Sequence, residues 1–416
     1  MSPTPLVAGL VCIAALLALV LPAPLVALAV LALLVAGMVD ALGVRKRPDV
    51  RVETPRVLAR GVASPIKVQA TAARASSIEV RQPALVDVQI EPSQAGGGSL
   101  EGRMVPTRRG RHRLPAPAIR VDGPLKLGRW YHRAPDEHEL LVYPDLPAAR
   151  KLALAVRRGR LTESGRSARG PLGLGTEFEA IRDYEPDDDI RQVNWPATAR
   201  LGKPMSNEYR TERDREVRCL VDSGRLMSAP LEDRSRLDAA VDALTALALV
   251  ADELGDRCGA IAFDDQIRRK VSPRRSGSTA VVRSFFDIEP SEVDSDYELA
   301  FRSVEGAKRS FVVVFTDILE ETAARPLLDA MPTLVRHHFV AVASALDTDL
   351  VRIAQREPQN THEVYEAAAA VDVLGARARV AATLRRTGAA FVEAPPARLG
   401  EACVRAYLRA KARGRL

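Results

Sequence analysis

The chain has 416 residues, 27% of them charged and 4% aromatic, and its formal net charge is +7. This length suits two or three domains, and a modest positive charge spread along the chain does not indicate a nucleic-acid-binding protein, although it suits contact with an anionic membrane. The four cysteines stand singly with no Cys-x-x-Cys spacing, which argues against structural zinc and favours a reducing compartment.

The N-terminal segment is apolar enough to enter a membrane. Residues 1–39 carry no charged side chain, and prolines at 22 and 24 divide them into Leu6–Leu21 and Leu25–Val39. Each half is slightly shorter than the roughly 20 residues of a spanning helix, but can serve as one arm of a transmembrane hairpin. The basic cluster Arg45–Arg47 follows, so the positive-inside rule predicts that the rest of the chain is cytoplasmic. A single tilted span and a cleaved signal peptide are the alternatives.

Residues 48–147 show short alternating apolar runs broken by Gly and Pro, without a stretch of helical period. This pattern predicts a small β-sandwich. The predicted strands are Val50–Val52, Ile66–Ala70, Ile78–Arg81, Val86–Ile90, Gly102–Pro106, Ala118–Val121 and Leu140–Tyr143. A basic turn over Arg108–His112 is expected on one hairpin, either solvated or in contact with anionic lipid.

A basic connector, rich in Arg and Gly, follows over residues 148–175. Its glycines do not sit between a strand and a helix, and no Lys-Ser/Thr follows them, so the segment is not a P-loop. The sequence predicts a linker here.

Residues 175–200 combine aromatic, basic and acidic side chains more densely than a linker does. Large rings such as Tyr184 and Trp195 are most useful where they are buried, and the arginines each lie within reach of carboxylates. We interpret the segment as a structural clamp of buried ion pairs, with a binding site as the alternative.

The spacing in this segment resembles the signature of a family of bacterial membrane proteins known as domain of unknown function 58. That signature contains Gly-x-Glu-Phe, Arg-x-Tyr, Pro-Gly-Asp-Asp-x-Arg, a Trp and an Ala-Arg. The matching residues are Glu177, Phe178, Arg182, Tyr184, Asp188, Asp189, Arg191, Trp195 and Arg200. Asp187 stands where the family usually has glycine, and since aspartate tolerates a positive φ better than most residues, we expect the turn to persist.

Strands and helices alternate from Glu216 onward, which predicts a doubly wound α/β domain with a parallel sheet covered on both faces. The predicted strands are Val217–Asp222, Ala260–Phe263, Ile267–Val271, Phe311–Phe315, Phe339–Ala343 and Ala390–Glu393. The predicted helices include Arg234–Gly255, Glu320–Met331 and Leu399–Ala412.

In such sheets ligands bind beyond the carboxyl ends of the strands, where Asp222 and Asp317 are expected to meet. The layout resembles a von Willebrand factor A domain, which the family carries, and this resemblance implies Mg²⁺ held by an Asp-x-Ser-x-Ser loop, a threonine and a second aspartate. Asp222 and Asp317 match the aspartates, and Ser295 matches the threonine.

The resemblance is incomplete, because Gly224 and Leu226 occupy the positions of the two loop serines. Mg²⁺ requires near-octahedral oxygen ligation, so the expected metal site is degenerate. The alternative is that the two aspartates cap helices or pair with Arg182 or Arg225.

Taken together, the sequence predicts a membrane hairpin and basic flank (1–47), a β-sandwich (48–147), a linker with the signature segment (148–214) and a von Willebrand A-like domain (215–416). We expect a non-enzymatic adaptor or scaffold, since no Gly-x-Ser-x-Gly or His-Glu-x-x-His motif is present. The resemblance implies the bacterial inner membrane, contact with lipid, and a MoxR-type AAA+ ATPase as partner in complex assembly or maturation. The alternative is a metal-dependent hydrolase that uses Asp187–Asp189 with Asp222 and Asp317.

Overall fold

The chain is described by a computed structural model over residues 2–159, 161, 177–185, 190, 193–210, 214–304, 306–318 and 321–412, with backbone alone at 177–180 and 208–210. It divides into two compact units, Met1–Tyr143 and Pro144–Leu416. The coarse fold class is confirmed, because the chain combines many strands with many helices.

The first unit contains two apolar helices and an all-β body. Its elements are β1 (Ser2–Pro3), α1 (Pro5–Leu17), α2 (Ala23–Gly43), β2 (Asp49–Glu53), β3 (Val57–Ala59), β4 (Ser64–Thr71), β5 (Ser77–Arg81), β6 (Val88–Glu91), β7 (Gln94–Gly96), β8 (Ser99–Pro106), β9 (Gly110–Leu114), β10 (Ala118–Asp122), β11 (Gly128–Arg133) and β12 (His138–Tyr143). The strands form sheets of order β1-β11-β10-β5-β7, β2-β4-β8-β6 and β3-β12-β9.

All three sheets contribute side chains to one core. Val68 and Leu100 come from the second sheet, Ile119 from the first and Leu140 from the third, and each is fully buried. Buried and exposed residues alternate along β4, as the period of a strand requires. The predicted strands of this unit therefore overlap strands of a layered β body.

The sequence pattern missed β1, β3, β7, β9 and β11. Strands β9 and β11 are rich in arginine and histidine, and each buries little beyond a glycine and one larger side chain, Leu114 and His132 respectively. Such strands show no alternation of aliphatic residues, so the predicted basic turn over Arg108–His112 in fact runs into the start of β9.

Helix α2 is the one helix of the described residues that is long and apolar enough to cross a membrane, and α1 is a shorter apolar helix. Proline at the first turn of each helix suits its start, because that position has no intrahelical partner for an N–H group. Most of their leucines and valines are exposed, which is unusual for helices of a water-soluble body.

The second unit contains the signature segment and a large α/β sheet. Its elements are α3 (Leu146–Arg157), β13 (Glu177–Asp183), α4 (Trp195–Leu201), β14 (Met205–Arg210), β15 (Glu216–Asp222), β16 (Pro230–Leu231), β17 (Arg234–Ser235), α5 (Arg236–Glu253), β18 (Arg257–Phe263), β19 (Ile267–Arg274), α6 (Ser278–Phe285), α7 (Tyr297–Arg302), β20 (Phe311–Phe315), α8 (Glu321–Val335), β21 (Phe339–Ala345), α9 (Thr348–Gln355), α10 (Thr361–Arg386), β22 (Ala390–Ala394) and α11 (Pro396–Ala412).

The main sheet has the order β19-β18-β15-β20-β21-β22, and all neighbours are parallel except the edge pair β18–β19. Side chains alternate between its faces: Cys219 and Val221 join the core under α5 and α11, whereas Leu220 and Val314 join the core under α8 and α10. Helices thus cover both faces, which explains why the strands read as continuous apolar runs.

Part of the predicted linker belongs to this body. Asp145 caps α3 by accepting a hydrogen bond from Ala148 N at 3.0 Å, and the helix packs through Ala153 and Val156 into the core that α5 also lines. Of the basic residues that suggested a linker, Arg157 ends α3 and is exposed, whereas Arg160, Arg166 and Arg169 lie outside the described residues.

The last helix, α11, is fixed by a buried polar group. Asp256 is fully buried and accepts hydrogen bonds from the Tyr407 hydroxyl, the Lys411 ammonium and, at 3.1 Å, Arg215 N. Burial and the charge of Asp256 raise the pKa of Tyr407 well above its usual value, so the phenol remains a donor. Helix α11 is therefore held by a buried charge pair that water does not screen.

We expect Lys411→Met to destabilise the second unit by about 3–5 kcal/mol, because it leaves the Asp256 carboxylate buried without its counter-charge. Arg405→Met on the same helix is the control: its half-exposed pair with Glu401 should change stability by less than about 0.5 kcal/mol. Urea unfolding of the detergent-solubilised full chain, followed by hydrogen exchange in α11, measures both. Equal effects of the two substitutions would contradict this account.

Candidate functional site

The candidate site lies at the carboxyl edge of the main sheet. Strands β15 and β20 are parallel neighbours with Val221 opposite Phe315, so Asp222 ends beside Thr316. The Thr316 hydroxyl donates to Asp222 Oδ2 at 2.6 Å. The strand pairing itself therefore brings the two loops together.

Asp222 is fully engaged by protein donors. Its side chain is 1% exposed, and Oδ1 accepts from Gly224 N at 2.8 Å and from the Ser295 hydroxyl, while Oδ2 accepts from Thr316 and, at 2.9 Å, from the Tyr297 hydroxyl. An ionised carboxylate offers about four lone-pair positions. All of them are used inside the protein, which makes Asp222 the hub of this edge.

Tyr297 was not anticipated as a site residue. It begins α7, where Asp296 caps the helix, and its ring packs edge-on against Phe263 and Phe301. Burial and the negative charge of Asp222 raise the pKa of Tyr297 well above its ordinary value, so the phenol stays protonated and donates. A tyrosine two residues after Ser295, in a chain poor in aromatics, was the signal that could have revealed it.

Asp317 occupies a separate, strongly basic environment. Its Oδ1 accepts from Arg236 Nη1 at 2.8 Å, Arg377 Nη1 at 2.9 Å and Ser344 Oγ at 3.0 Å. Arg377 also donates to Glu393 Oε1 at 2.9 Å. Burial alone would lower the pKa of Arg377, but the carboxylates of Asp317 and Glu393 outweigh burial and raise that pKa.

The predicted partners of these aspartates were wrong. Arg225 pairs with the exposed Asp294, and Arg182 lies 4.0 Å from Glu185. The arginines that do bind Asp317 come from the first turn of α5 and the middle of α10, far away in sequence. Only the tertiary fold brings them to the sheet edge, so local spacing could not identify them.

The residues present do not fit a magnesium ion. A Cβ atom at Gly224 would overlap the Ser295 hydroxyl and lie 2.9 Å from Val293 O, so the loop has no room for the serine that the von Willebrand A pattern requires. Two guanidinium groups already neutralise Asp317, whose Oδ1 takes up all its hydrogen bonds, while its buried Oδ2 has none among the described residues. In the part of the chain that the structure describes, no cluster of three His, Cys, Asp or Glu side chains could hold a metal.

The signature segment forms a small antiparallel pair with a short helix. Strand β13 pairs with β14, with Ile181 opposite Asn207, and α4 lies between them in sequence. Asn194 caps α4 by accepting from Ala197 N at 2.9 Å and donates to Asn207 Oδ1 at 2.7 Å. The helix is thereby tied to the second strand.

The expected clamp of buried ion pairs is not found among the described residues of this segment. Arg182 donates to Asp183 O at 3.0 Å, and Arg200 donates to Pro196 O at 3.4 Å, both near the surface. Trp195 is 66% exposed, although we expected it to be buried, while Tyr184 is half-buried. The buried side of α4 carries Ala197, and Trp195, two residues earlier, lies on another side of the helix.

Several of the predicted signature residues lie outside the described part of the chain. These are Asp188, Asp189 and Arg191, the acidic run Asp187–Asp189 as a whole, and the side chains of Glu177 and Phe178.

Large apolar side chains are instead exposed along the segment. Ile181 on β13, Ile190, and Trp195 and Leu201 at the two ends of α4 are each exposed, and we call these four exposed side chains of the segment the Trp195 surface. Exposed tryptophan is costly in water and is enriched at the centres of protein interfaces.

One known protein family matches the region that contains the candidate site. The model of the family described as "Protein of unknown function DUF58" matches residues 180–350. The segment resembles DUF58. The match begins in β13 and continues past β21, so it includes the Trp195 surface, Asp222, Ser295 and Asp317.

Curated relatives extend the similarity. The uncharacterized protein Rv1480 of Mycobacterium tuberculosis is 25% identical over 238 residues, which is 52% of this chain and 74% of that protein. The uncharacterized protein Mb1516 of Mycobacterium bovis gives the same figures. These matches support the DUF58 resemblance, and the names of the relatives assign no activity.

Solved structures give only weak likeness. A cohesin module from a Clostridium perfringens family 33 glycoside hydrolase matches with a TM-score of 0.17 and 9% identity, over 24% of this chain and 98% of that one. The sulfur carrier protein SoxY from Chlorobium limicola matches with a TM-score of 0.15 and 18% identity, over 26% and 97% of the two chains. Scores this low carry no inference.

We expect Asp222→Ala to destabilise the second unit by about 3 kcal/mol, because it strands several buried donors, and Tyr297→Phe to cost about 1–2 kcal/mol, because it removes one of them. Asp294→Ala, which breaks only an exposed pair with Arg225, serves as the control and should change stability by less than about 0.5 kcal/mol. Thermal and urea unfolding compare the three. If Asp222→Ala were as mild as the control, the hub assignment would be wrong.

We also expect Mg²⁺ to leave the melting temperature unchanged. A site with a dissociation constant one hundredth of the metal concentration would add about 2.7 kcal/mol, which a melting curve readily detects. Titration with MgCl₂ against NaCl of matched ionic strength makes the comparison. A stabilisation specific to Mg²⁺ and absent in Ser295→Ala would overturn the fit argument.

Proposed function

We propose that this protein is a membrane-anchored, non-enzymatic adaptor that docks a protein partner through its DUF58 region. The observation that carries the proposal is the Trp195 surface, an exposed apolar set within the segment that matches the family. Four large apolar side chains exposed within one short stretch of chain favour an interaction that covers them.

The apolar helices support a two-span hairpin as the anchor. Helix α2, with 21 residues, is about 31 Å long, close to the thickness of a bilayer core. Strand β1 pairs with β11 before α1 begins, and α2 returns to the loop that precedes β11, so both ends of the hairpin reach the same side. The basic cluster Arg45–Arg47 favours the cytoplasm as that side, and we propose the bacterial inner membrane as the location.

The α/β sheet supports a von Willebrand A-like domain. Its parallel strand order and the meeting of Asp222, Ser295 and Thr316 at the carboxyl edge suit that fold. We propose that the edge has become a structural hub in which hydroxyl and guanidinium groups stand where a metal would bind. The domain would then present its partner-binding surface without a cation.

The proposed partner is a MoxR-type AAA+ ATPase, as the DUF58 resemblance implies, acting in the assembly or maturation of a complex. The competing hypothesis, a metal-dependent hydrolase, has less support because Asp222 and Asp317 are already used by internal donors. Divalent-metal-dependent phosphatase turnover by the purified chain would revive it.

The test is the affinity of the detergent-solubilised chain for a purified MoxR-type ATPase from the same bacterium. We expect Trp195→Ala to weaken binding at least tenfold, since a central interface tryptophan commonly contributes 2 kcal/mol or more, that is, roughly a factor of 30. Tyr365→Ala is the matched control: this residue is 72% exposed on α10, outside the family match, and its loss should change affinity less than about twofold.

Two results would count against the adaptor. One is the absence of any binding by the wild-type chain. The other is an equal loss of affinity in the two variants, which would point to a nonspecific apolar contact.

A further inference from the structure

A buried aspartate fastens the end of α2 to a loop of the β body. Asp40 lies in the last turn of α2 and is almost completely buried. Its Oδ1 accepts from Leu125 N at 3.0 Å, and its Oδ2 accepts from Leu127 N at 2.9 Å and Gly128 N at 3.0 Å. Bonds from backbone amides to a carboxylate are among the stronger ones in proteins, so the loop and the helix end move as one piece.

Two glycines allow the loop to lie this close to α2. A Cβ atom at Gly128 would overlap the backbone of α2 at Gly37 and Ala41, and one at Gly123 would overlap the Asp40 carboxylate. Thr4, which precedes α1, binds the same loop: Thr4 N donates to Leu127 O at 3.0 Å and Thr4 Oγ1 donates to Lys126 O at 2.6 Å. The loop is therefore held between both arms of the apolar hairpin.

The tip of the loop lies level with the end of the apolar surface of α2. Leu125 N is bonded to Asp40, one residue after Val39, which is 61% exposed. Leu125 itself is 63% exposed, and Lys126 follows it with φ +57°, a left-handed conformation that turns the chain back. An exposed leucine and an exposed lysine thus stand at the level where α2 would leave the hydrocarbon.

The same level carries further positive charge. Arg45, Lys46 and Arg47 follow α2 directly, and all three are exposed. Asp122, the nearest acidic residue of the loop region, lies 3.4 Å from Arg129 and accepts from the Ser77 hydroxyl at 2.9 Å, so its charge is already engaged. The exposed residues that follow α2, together with the loop tip, therefore carry four positive charges (Arg45, Lys46, Arg47 and Lys126) against one exposed acid, Asp49.

We propose that Leu125, Lys126 and Arg45–Arg47 form a collar that binds the phosphate groups of anionic lipids. Leu125 enters the boundary between headgroups and acyl chains, and the basic side chains contact the phosphates. This inference rests on the proposed membrane anchoring. It adds that the β body lies directly on an anionic bilayer surface instead of being connected to the membrane by a flexible stalk.

The experiment uses the full chain in lipid nanodiscs, either neutral phosphatidylcholine or a mixture with phosphatidylglycerol, both doped with nitroxide-labelled lipid. In a Cys12→Ser background, where the remaining cysteines are buried, a fluorophore is attached to one new cysteine at a time. Leu125→Cys reports the collar and Leu28→Cys reports α2. Val86→Cys, an exposed site before β6 and far from the start of β2, is the control.

We expect quenching at Leu28 in both kinds of disc, none at Val86, and quenching at Leu125 that is stronger in anionic discs and weakens as salt is added. Lys46→Gln with Lys126→Gln should lower the ratio of docked to free collar about thirtyfold in anionic discs, since each basic contact contributes about 1 kcal/mol. The control Arg81→Gln with Arg133→Gln should leave this ratio unchanged, because both residues lie at the ends of β5 and β11 that are farthest from the loop at 122–128.

The outcomes separate the two proposals. Quenching at Leu28 without quenching at Leu125 would overturn the collar and leave the anchor intact. Absence of quenching at Leu28 would overturn the anchor and the collar with it. Equal quenching at Leu125 in neutral and anionic discs, or an equal effect of the two charge variants, would overturn the assignment to anionic lipid.

Discussion

The parallel pairing of β15 with β20 is the constraint on which the second unit depends. It sets Asp222 beside Thr316, and the carboxylate then collects Ser295 and Tyr297 from the segment that follows α6. Because all these groups are buried, each would be costly to leave without a partner. The loop after β15 and the start of α7 are thus held by one acid, and the edge of the sheet becomes rigid.

Asp317 shows how the same edge handles charge. Two arginines converge on one of its oxygens, and Glu393 and the half-buried Asp347 supply further negative charge around them. A buried network of this kind adds little net stability compared with an apolar core, but losing one member leaves a charge uncompensated. It therefore acts more to fix the arrangement of α5, α10 and the strand ends than to strengthen the fold, and it removes Asp317 from the pool of metal ligands.

The sequence predicts the sheet better than the site. Phe311–Phe315 has the predicted bounds because a continuous run of five β-branched and aromatic residues, too short for a helix, suits a strand that is covered on both faces. Asp222 and Asp317 follow from strand ends in the same way. Arg236 and Arg377 do not, because their role depends on packing between helices distant in sequence. The expected burial of Trp195 was wrong: ring size suggested burial, but the segment buries Ala197 and Met205 instead and leaves the tryptophan exposed.

Asp40 has a structural role that a hydropathy profile does not reveal. In a hydropathy profile, a charged residue in the last turn of an apolar helix indicates only where the apolar segment ends. Here the Asp40 carboxylate, in place of water, accepts hydrogen bonds from three backbone amides of a neighbouring loop. Gly123 and Gly128 allow these three hydrogen bonds to form, because any side chain at either position would push the loop away from the helix. Where the helix ends and where the β body begins are therefore decided by one side chain, and a rigid joint at that point fixes which face of the β body lies against α2.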